Sequence, residues 1–142
     1  MTRARDCAFC GIVTGGDGHI VHADEQIVAF LDRAPLIKGH VLVIPRAHVD
    51  TFDELPDDLI APLFRVVQRV SRSFARAVAA DGSYTAMNTR VSQSVPHVHV
   101  HVVPRRTGDG LFRAGLVWVR KRYADGEAAQ LATRLREAIA AS

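Results

Sequence analysis

The feature that most constrains this chain is a strict alternation of histidine and valine between residues 97 and 103. The stretch reads His-Val-His-Val-His-Val-Val. In an extended strand, residues two apart share a face and lie roughly 7 Å apart. The sequence therefore predicts a strand that buries its valines, presents three imidazoles on the opposite face and ends at Pro104. Three groups that titrate near neutrality are an unusual choice for a purely structural face, so this strand indicates a chemical site.

The sequence around this strand predicts an α+β fold. Residues 19–23 and 26–31 have the pattern of a hairpin, and residues 40–44 that of a central strand stopped by Pro45. Pro56-Asp57-Asp58 is typical of a helix start. Apolar residues then recur in steps of three and four up to Val78, and Asp81-Gly82 is expected to stop the helix.

Residues 84–88 predict a further strand, and residues 125–140 predict a terminal helix with one apolar face. We expect an antiparallel sheet of about five strands with the long helix across it. The whole chain, residues 1–142, is predicted to be one domain. It would carry an N-terminal segment at about 1–16 and a C-terminal extension at about 105–142.

Composition and charge narrow the class of protein. No apolar run reaches the length that crosses a bilayer, and the N-terminus is polar. We therefore expect a cytoplasmic protein with no membrane partner. The formal net charge is +3, and cations crowd into one stretch: Arg105, Arg106, Arg113, Arg120, Lys121 and Arg122. They form either a solvated rim or a positively charged surface that attracts phosphate-bearing ligands. Aromatic residues are sparse and not interleaved with them, which disfavours a nucleic-acid partner.

The chain has two cysteines, Cys7 and Cys10, spaced C-x-x-C. In a cytosolic protein such a pair favours metal or redox chemistry over a structural disulfide. A thioredoxin-type motif would lie between a strand and a helix, whereas this pair precedes every predicted strand. Metal ligands and two buried free thiols are the interpretations that stay open.

Three imidazoles on one strand allow two kinds of chemistry. One is a metal site, although neighbouring imidazoles on a strand seldom all point at one ion. The other is nucleophilic catalysis on phosphorus, because a neutral imidazole is a competent nucleophile and water can break the phosphorus–nitrogen bond it forms. The flanking histidines would then hydrogen-bond phosphate oxygens or the leaving group.

The stretch 93–103 resembles the signature of the histidine triad (HIT) family. Residues 7–10, 30–32 and 39–45 are also similar to that family, so the resemblance runs from residue 7 to about 110. It implies a HIT-like fold, a homodimer and a nucleotide-binding hydrolase or transferase. The bond cleaved would be a phosphoanhydride or phosphoramidate. The substrate would be a purine mononucleotide conjugate or a dinucleoside polyphosphate, attacked through a covalent nucleotidyl-histidine intermediate.

The resemblance also implies roles for individual residues. His99 would be the nucleophile, His101 would contact the phosphate and assist the leaving group, and His40 would approach the same phosphate. Asp32 would accept hydrogen bonds from the ribose hydroxyls. The implied nucleobase pocket consists of Phe9, Ile12, Phe30 and Leu42, and the implied phosphate and ribose contacts are Asn88, Gln93 and Ser94.

The segment between Asn88 and Gln93 departs from the family pattern. Many relatives carry a longer, glycine-bearing loop with glycine just before the glutamine, where this chain has Ser92. Arg90 could offer a phosphate contact in place of the loop amides.

A zinc-bearing branch of the family holds its metal with a C-x-x-C pair, a histidine after the proline turn and the first triad histidine. The matching residues are Cys7, Cys10, His48 and His97. Two thiolates and two imidazoles suit a closed, structural tetrahedral zinc site. His97, otherwise a third catalytic candidate, would then serve the metal and leave the chemistry to His99 and His101.

Two other functions remain open from the sequence. One is a HIT protein that binds a nucleotide or a partner without catalysis. The other is repair of nucleic-acid ends, which only the arginine cluster favours. Turnover of a nucleotide conjugate separates catalysis from binding, and salt-dependent DNA binding would indicate the repair function.

Overall fold

One antiparallel sheet organises the protein. The computed structural model describes residues 4–16, 18–113 and 119–142. Within them the strands are β1 (Ile20–Ala23), β2 (Ile27–Leu31), β3 (Val41–Pro45), β4 (Gly82–Ala86) and β5 (Val100–Arg105), and the α-helices are α1 (Ala8–Val13), α2 (Asp57–Val78) and α3 (Glu127–Ala140). The five strands lie in the order β1-β2-β3-β5-β4, and every neighbouring pair is antiparallel. The predicted α+β fold is confirmed.

The histidine strand begins later than the sequence predicted and does not end at Pro104. β5 starts at Val100, so His97 and His99 lie in the segment just before it. Its pairing with β3 reaches no further than Val102, whereas its pairing with β4 continues to Arg105. Pro104 is tolerated inside β5 because the strand has a neighbour on only one side there. The predicted alternation survives the shift, since Val98, Val100 and Val102 are all buried in the main core.

Helix α2 ends at Val78, three residues before the predicted stop. Ala79 takes a left-handed conformation with φ 53°, and the N–H of Ala80 donates to the carbonyl of Phe74 at 3.3 Å. The helix therefore ends on a left-handed residue, as many helices do, although alanine rather than glycine takes the conformation here. Gly82, predicted to break the helix, instead begins β4.

The sheet has a separate group of buried side chains on each of its two faces, and the site lies on the face that is not covered by α2 and α3. Helices α2 and α3 pack on one face; α3 contributes the predicted stripe of Leu131, Leu135 and Ile139. On the other face, Phe9 of α1 packs against Phe30 of β2 and Leu42 of β3. The N-terminal segment therefore covers part of the face that carries the histidines.

Two predicted segments are described only in part. Residues 1–3 of the N-terminal segment and residues 114–118 of the C-terminal extension lie outside the described residues. Among the helices of the described ranges, none combines the length and the apolar composition that a membrane span requires.

Candidate active site and metal centre

His99 lies at the centre of the site with its protonation pattern fixed by the backbone. Its side chain is buried, and its Nδ1 lies 2.7 Å from the carbonyl oxygen of His97. A carbonyl only accepts, so Nδ1 carries the proton and Nε2 keeps its lone pair. Burial lowers the pKa of His99, outweighing the opposing effects of the His97 carbonyl and Asp32. His99 is therefore a neutral imidazole with a nucleophilic nitrogen.

A hydrogen bond from the buried His40 orients the ring of His101. The N–H of Leu36 donates to Nδ1 of His40 at 3.1 Å, so the proton of the neutral His40 ring is on Nε2. That Nε2 lies 2.9 Å from Nδ1 of His101 and donates to it, which leaves the proton of His101 on its own Nε2. Burial is the main cause that lowers the pKa of His101 to about 4 and that of His40 to about 2. Both rings are neutral at pH 7.

This arrangement refines the role expected of His40. Its side chain is completely buried, so it lies behind His101 and is screened from solvent. His99 and His101, in contrast, both line a cavity of about 690 Å³. Of the three triad histidines, His97 is fully buried and faces the cysteines rather than the cavity.

The cavity has an apolar wall beside the two histidines. All four residues predicted for a nucleobase pocket line it: Phe9, Ile12, Phe30 and Leu42. The ring centroid of Phe9 lies 5.3 Å from that of Phe30 and 5.1 Å from that of His99, both edge to face. Such a wall offers a flat aromatic or heterocyclic ring an apolar contact next to His99.

Asp32 lies at another part of the cavity, directly after β2. Its Oδ1 accepts the N–H of Ala34 at 3.0 Å, and its Oδ2 accepts Nη1 of Arg120 at 3.0 Å. Arg120 comes from the C-terminal extension, which also contributes Arg122 and Tyr123 to the lining. The sequence singled out Arg120 and Arg122 as members of a basic stretch, but no pattern indicated that Arg120 reaches Asp32 or that Arg122 lines the same cavity.

Ser94 lines the cavity, whereas Asn88 and Gln93 are not among its lining residues and are engaged by other parts of the protein. Nε2 of Gln93 donates to the carbonyls of Asp50 at 2.6 Å and Val95 at 3.1 Å. Its Oε1 accepts the N–H of Arg90 at 2.8 Å, so the amide of Gln93 is engaged on both atoms. Asn88 donates to the Ser92 carbonyl at 3.1 Å, and Arg90 forms an ion pair with Asp53 at 2.6 Å.

The four residues predicted as metal ligands lie together. The sulfur atoms of Cys7 and Cys10 and one ring nitrogen each of His48 and His97 all lie within 4.8 Å of one another. Nδ1 of His48 is 3.2 Å from the Cys10 sulfur, and Nδ1 of His97 is 3.5 Å from the Cys7 sulfur. The cluster joins the N-terminal segment, the turn after β3 and the segment before β5.

The second nitrogen of each imidazole is also engaged, in the way metal-binding histidines require. Nε2 of His48 donates to Asp50 at 2.7 Å, and Nε2 of His97 donates to the Pro45 carbonyl at 2.8 Å. Both Nδ1 lone pairs are therefore available toward the sulfurs. Burial, reinforced by Cys7, raises the pKa of Cys10 to about 11. A thiol in this position needs a cation beside it to ionise at pH 7, and two sulfurs with two imidazoles fit zinc.

Comparisons with known proteins agree with this geometry. The HIT domain family model matches residues 15–108. A zinc-bound histidine triad family protein from Mycobacterium smegmatis has a TM-score of 0.83 and 33% identity, covering 98% of this chain and 96% of its own. An adenylylsulfatase of Arabidopsis thaliana is 30% identical over 138 residues, which are 95% of this chain and 70% of that protein. An adenosine 5'-monophosphoramidase of Schizosaccharomyces pombe is 36% identical over 103 residues, 70% of this chain and 74% of that protein.

Proposed function

The chain belongs to the HIT domain family, and we propose that it is a nucleotide hydrolase that uses His99 as its nucleophile. The observation that carries the proposal is the 2.7 Å bond from Nδ1 of His99 to the His97 carbonyl, which leaves Nε2 ready to attack. Two relatives are named as an adenylylsulfatase and an adenosine 5'-monophosphoramidase, so both names indicate substrates with an adenosine phosphoryl group and different leaving groups. We infer the same class of substrate here, a nucleoside 5′-phosphate conjugate.

In the first step, Nε2 of His99 forms a bond to the 5′-phosphorus, and the bond from phosphorus to the leaving group breaks. The electron pair of the broken bond goes to the leaving group: sulfate keeps it as a stable anion, whereas a leaving amine nitrogen takes up a proton from solvent water. The ring of His99 becomes cationic, and the carbonyl of His97 stabilises it by accepting the Nδ1–H bond. The Nε2–H of His101 donates a hydrogen bond to a phosphoryl oxygen or to the leaving atom, and His40 fixes its orientation.

In the second step, water attacks the same phosphorus and the bond to Nε2 of His99 breaks. The electron pair returns to Nε2, the products are the nucleoside 5′-phosphate and a proton, and the neutral imidazole is restored. Attack by another phosphate in place of water would give transfer instead of hydrolysis. The apolar wall and the neutral histidines favour neither nucleophile. The names of the two relatives, both of which describe hydrolases, support water.

We propose that the base and the ribose of the substrate contact different residues of the cavity. The purine would lie against Phe9 and Phe30, and the ribose hydroxyls would donate to Asp32. A carboxylate has about four acceptor positions, so Asp32 can accept hydroxyls while it keeps its bonds to Ala34 and Arg120.

We further propose that Cys7, Cys10, His48 and His97 bind one zinc ion with a structural role. Four protein ligands leave no open position for substrate. Zinc would fix the N-terminal segment, and with it Phe9 of the base pocket, to the segment that carries His99. The homodimer and the cytoplasmic location implied by the sequence stay predictions. Light scattering of the purified protein tests the homodimer.

Turnover of adenosine 5′-phosphoramidate and adenosine 5′-phosphosulfate by the purified protein tests the proposed activity. His99→Ala is expected to abolish turnover while AMP still binds. Full activity of His99→Ala would refute the mechanism. Binding of AMP by the native protein without turnover of either conjugate would favour the non-catalytic alternative.

A further inference from the structure

The part of the cavity around Asp32 carries more positive charge than a ribose requires. Among the described residues, the charged side chains that line the cavity are Asp32, Arg33, Arg120 and Arg122. Three guanidinium groups and one carboxylate leave a formal charge of +2. The ribose hydroxyls that Asp32 is proposed to bind are neutral and need only an acceptor.

These arginines still have donors available. Arg120 uses Nη1 for both of its bonds, to Asp32 at 3.0 Å and to the Ala34 carbonyl at 2.9 Å. Its Nε and Nη2 make no hydrogen bond to the described residues. Arg33 and Arg122 likewise form no ion pair within the ranges that the structure describes. Several N–H donors of a kind that suits phosphate therefore line the same cavity as this one carboxylate.

The C-terminal segment that carries two of the arginines is anchored beside Asp32. The N–H of Lys121 donates to the Pro35 carbonyl at 2.8 Å, and its Nζ donates to the Leu36 carbonyl at 2.9 Å. The hydroxyl of Tyr123 accepts the N–H of Gly39 at 3.1 Å. Arg120 and Arg122 flank this anchor, so their backbone positions are fixed before a ligand binds, which favours affinity.

We propose that these arginines form a subsite for a phosphate group on the 2′- or 3′-hydroxyl of the ribose. The preferred substrates are then nucleoside 5′-phosphate conjugates that carry a second phosphate on the ribose. A phosphate monoester has a charge of about −1.5 to −2 near pH 7 and three acceptor oxygens, which matches the charge of +2 and the available N–H groups. The same logic applies in dinucleotide-binding folds, where an acidic residue binds a free ribose hydroxyl and an arginine accommodates its phosphate. The inference rests on the proposed role of Asp32.

Binding of the reaction products tests the subsite. Isothermal titration at constant ionic strength would compare AMP with adenosine 2′,5′-bisphosphate and adenosine 3′,5′-bisphosphate. At least one bisphosphate is expected to bind about 10- to 100-fold more tightly than AMP, the effect of one or two charge-assisted hydrogen bonds. The isomer that gains affinity identifies the hydroxyl.

Arg120→Gln is expected to reduce that ratio to within a few-fold of one. Arg65→Gln, which removes an exposed arginine of α2, is the control and should preserve the ratio. Equal binding of AMP and both bisphosphates by the native protein would overturn the proposal. So would an unchanged ratio in Arg120→Gln, because the arginine would then serve the 5′-phosphate common to all three ligands.

The proposed hydrolase activity and the phosphate subsite can be refuted independently of each other. If the native protein hydrolyses adenosine 5′-phosphoramidate but shows no bisphosphate preference, the proposed function stands and the subsite is refuted. If a bisphosphate binds more tightly through Arg120 but no conjugate is hydrolysed, the subsite stands and the hydrolase is refuted.

Discussion

Replacing His40 by asparagine and by glutamine separates its two hydrogen bonds. The amide of asparagine occupies roughly the place of Nδ1, so His40→Asn can keep the bond from Leu36 but not the one to His101. The longer His40→Gln can keep a donor to His101 but leaves the buried N–H of Leu36 without an acceptor. Each loss is expected to lower the free energy of unfolding by about 1–3 kcal/mol, the cost of an unsatisfied buried polar group.

The activities of the two variants are expected to diverge. In His40→Asn, His101 loses the bond that orients its ring, and kcat should fall about 10- to 100-fold, as when a supporting residue behind a metal-binding histidine is removed. In His40→Gln, kcat should stay within a few-fold of native. Urea titration measures the stabilities, and steady-state kinetics on adenosine 5′-phosphoramidate separates kcat from KM. A kcat that is equal in the two variants, or that follows their stability alone, would refute the role of His40 as a positioning residue for His101.

Three further perturbations test other parts of the site. Protein purified without chelators should contain about one zinc per chain by elemental analysis, and absence of zinc would refute the metal centre. Asp50→Ala removes the acceptor of the hydrogen bond from Nε2 of His48 and should weaken zinc binding about 10- to 100-fold. Ser92 has φ 61°, so Ser92→Gly should raise the free energy of unfolding by about 1 kcal/mol, whereas Ser94→Gly, where the described backbone has no positive φ, should not. His101→Asn should reduce kcat/KM more on an amine-leaving conjugate than on the sulfate conjugate, because negative charge that develops on a leaving nitrogen depends more on the hydrogen bond from Nε2–H of His101 than charge on sulfate, a stable anion. Equal losses would argue against assistance of the leaving group by His101.

Local patterns in the sequence predicted much of the fold. The hairpin, the central strand, the long helix and the alternation of histidine with valine all follow from periodicities within short windows, and the structure shows each of them. The residues at which helices and strands begin and end were harder to predict from the sequence. Pro104 is compatible with β5 because of which strand lies beside it, and Ala79 ends α2 through a left-handed residue that no glycine announced.

The candidate site was also predictable from the sequence only in part. The cysteine pair was recognisable from its spacing, and the resemblance to the HIT family implied His48 and His97 as its partners; the structure brings all four into one cluster. The tautomers of His99 and His101 were not recognisable, because they depend on a backbone carbonyl and on His40. The pair of Arg120 and Asp32 joins residues 88 positions apart, and no local periodicity encodes such a contact.

The most direct test of the central claim is a search for the covalent intermediate on His99. Native protein would be mixed with adenosine 5′-phosphosulfate, quenched in alkali within the first turnover because the phosphorus–nitrogen bond is labile in acid, and mapped by peptide mass spectrometry. The account predicts an adenylyl group on His99, formed before AMP appears and absent in His99→Ala. Turnover with no adduct, or with the adenylyl group on any other residue, would contradict it.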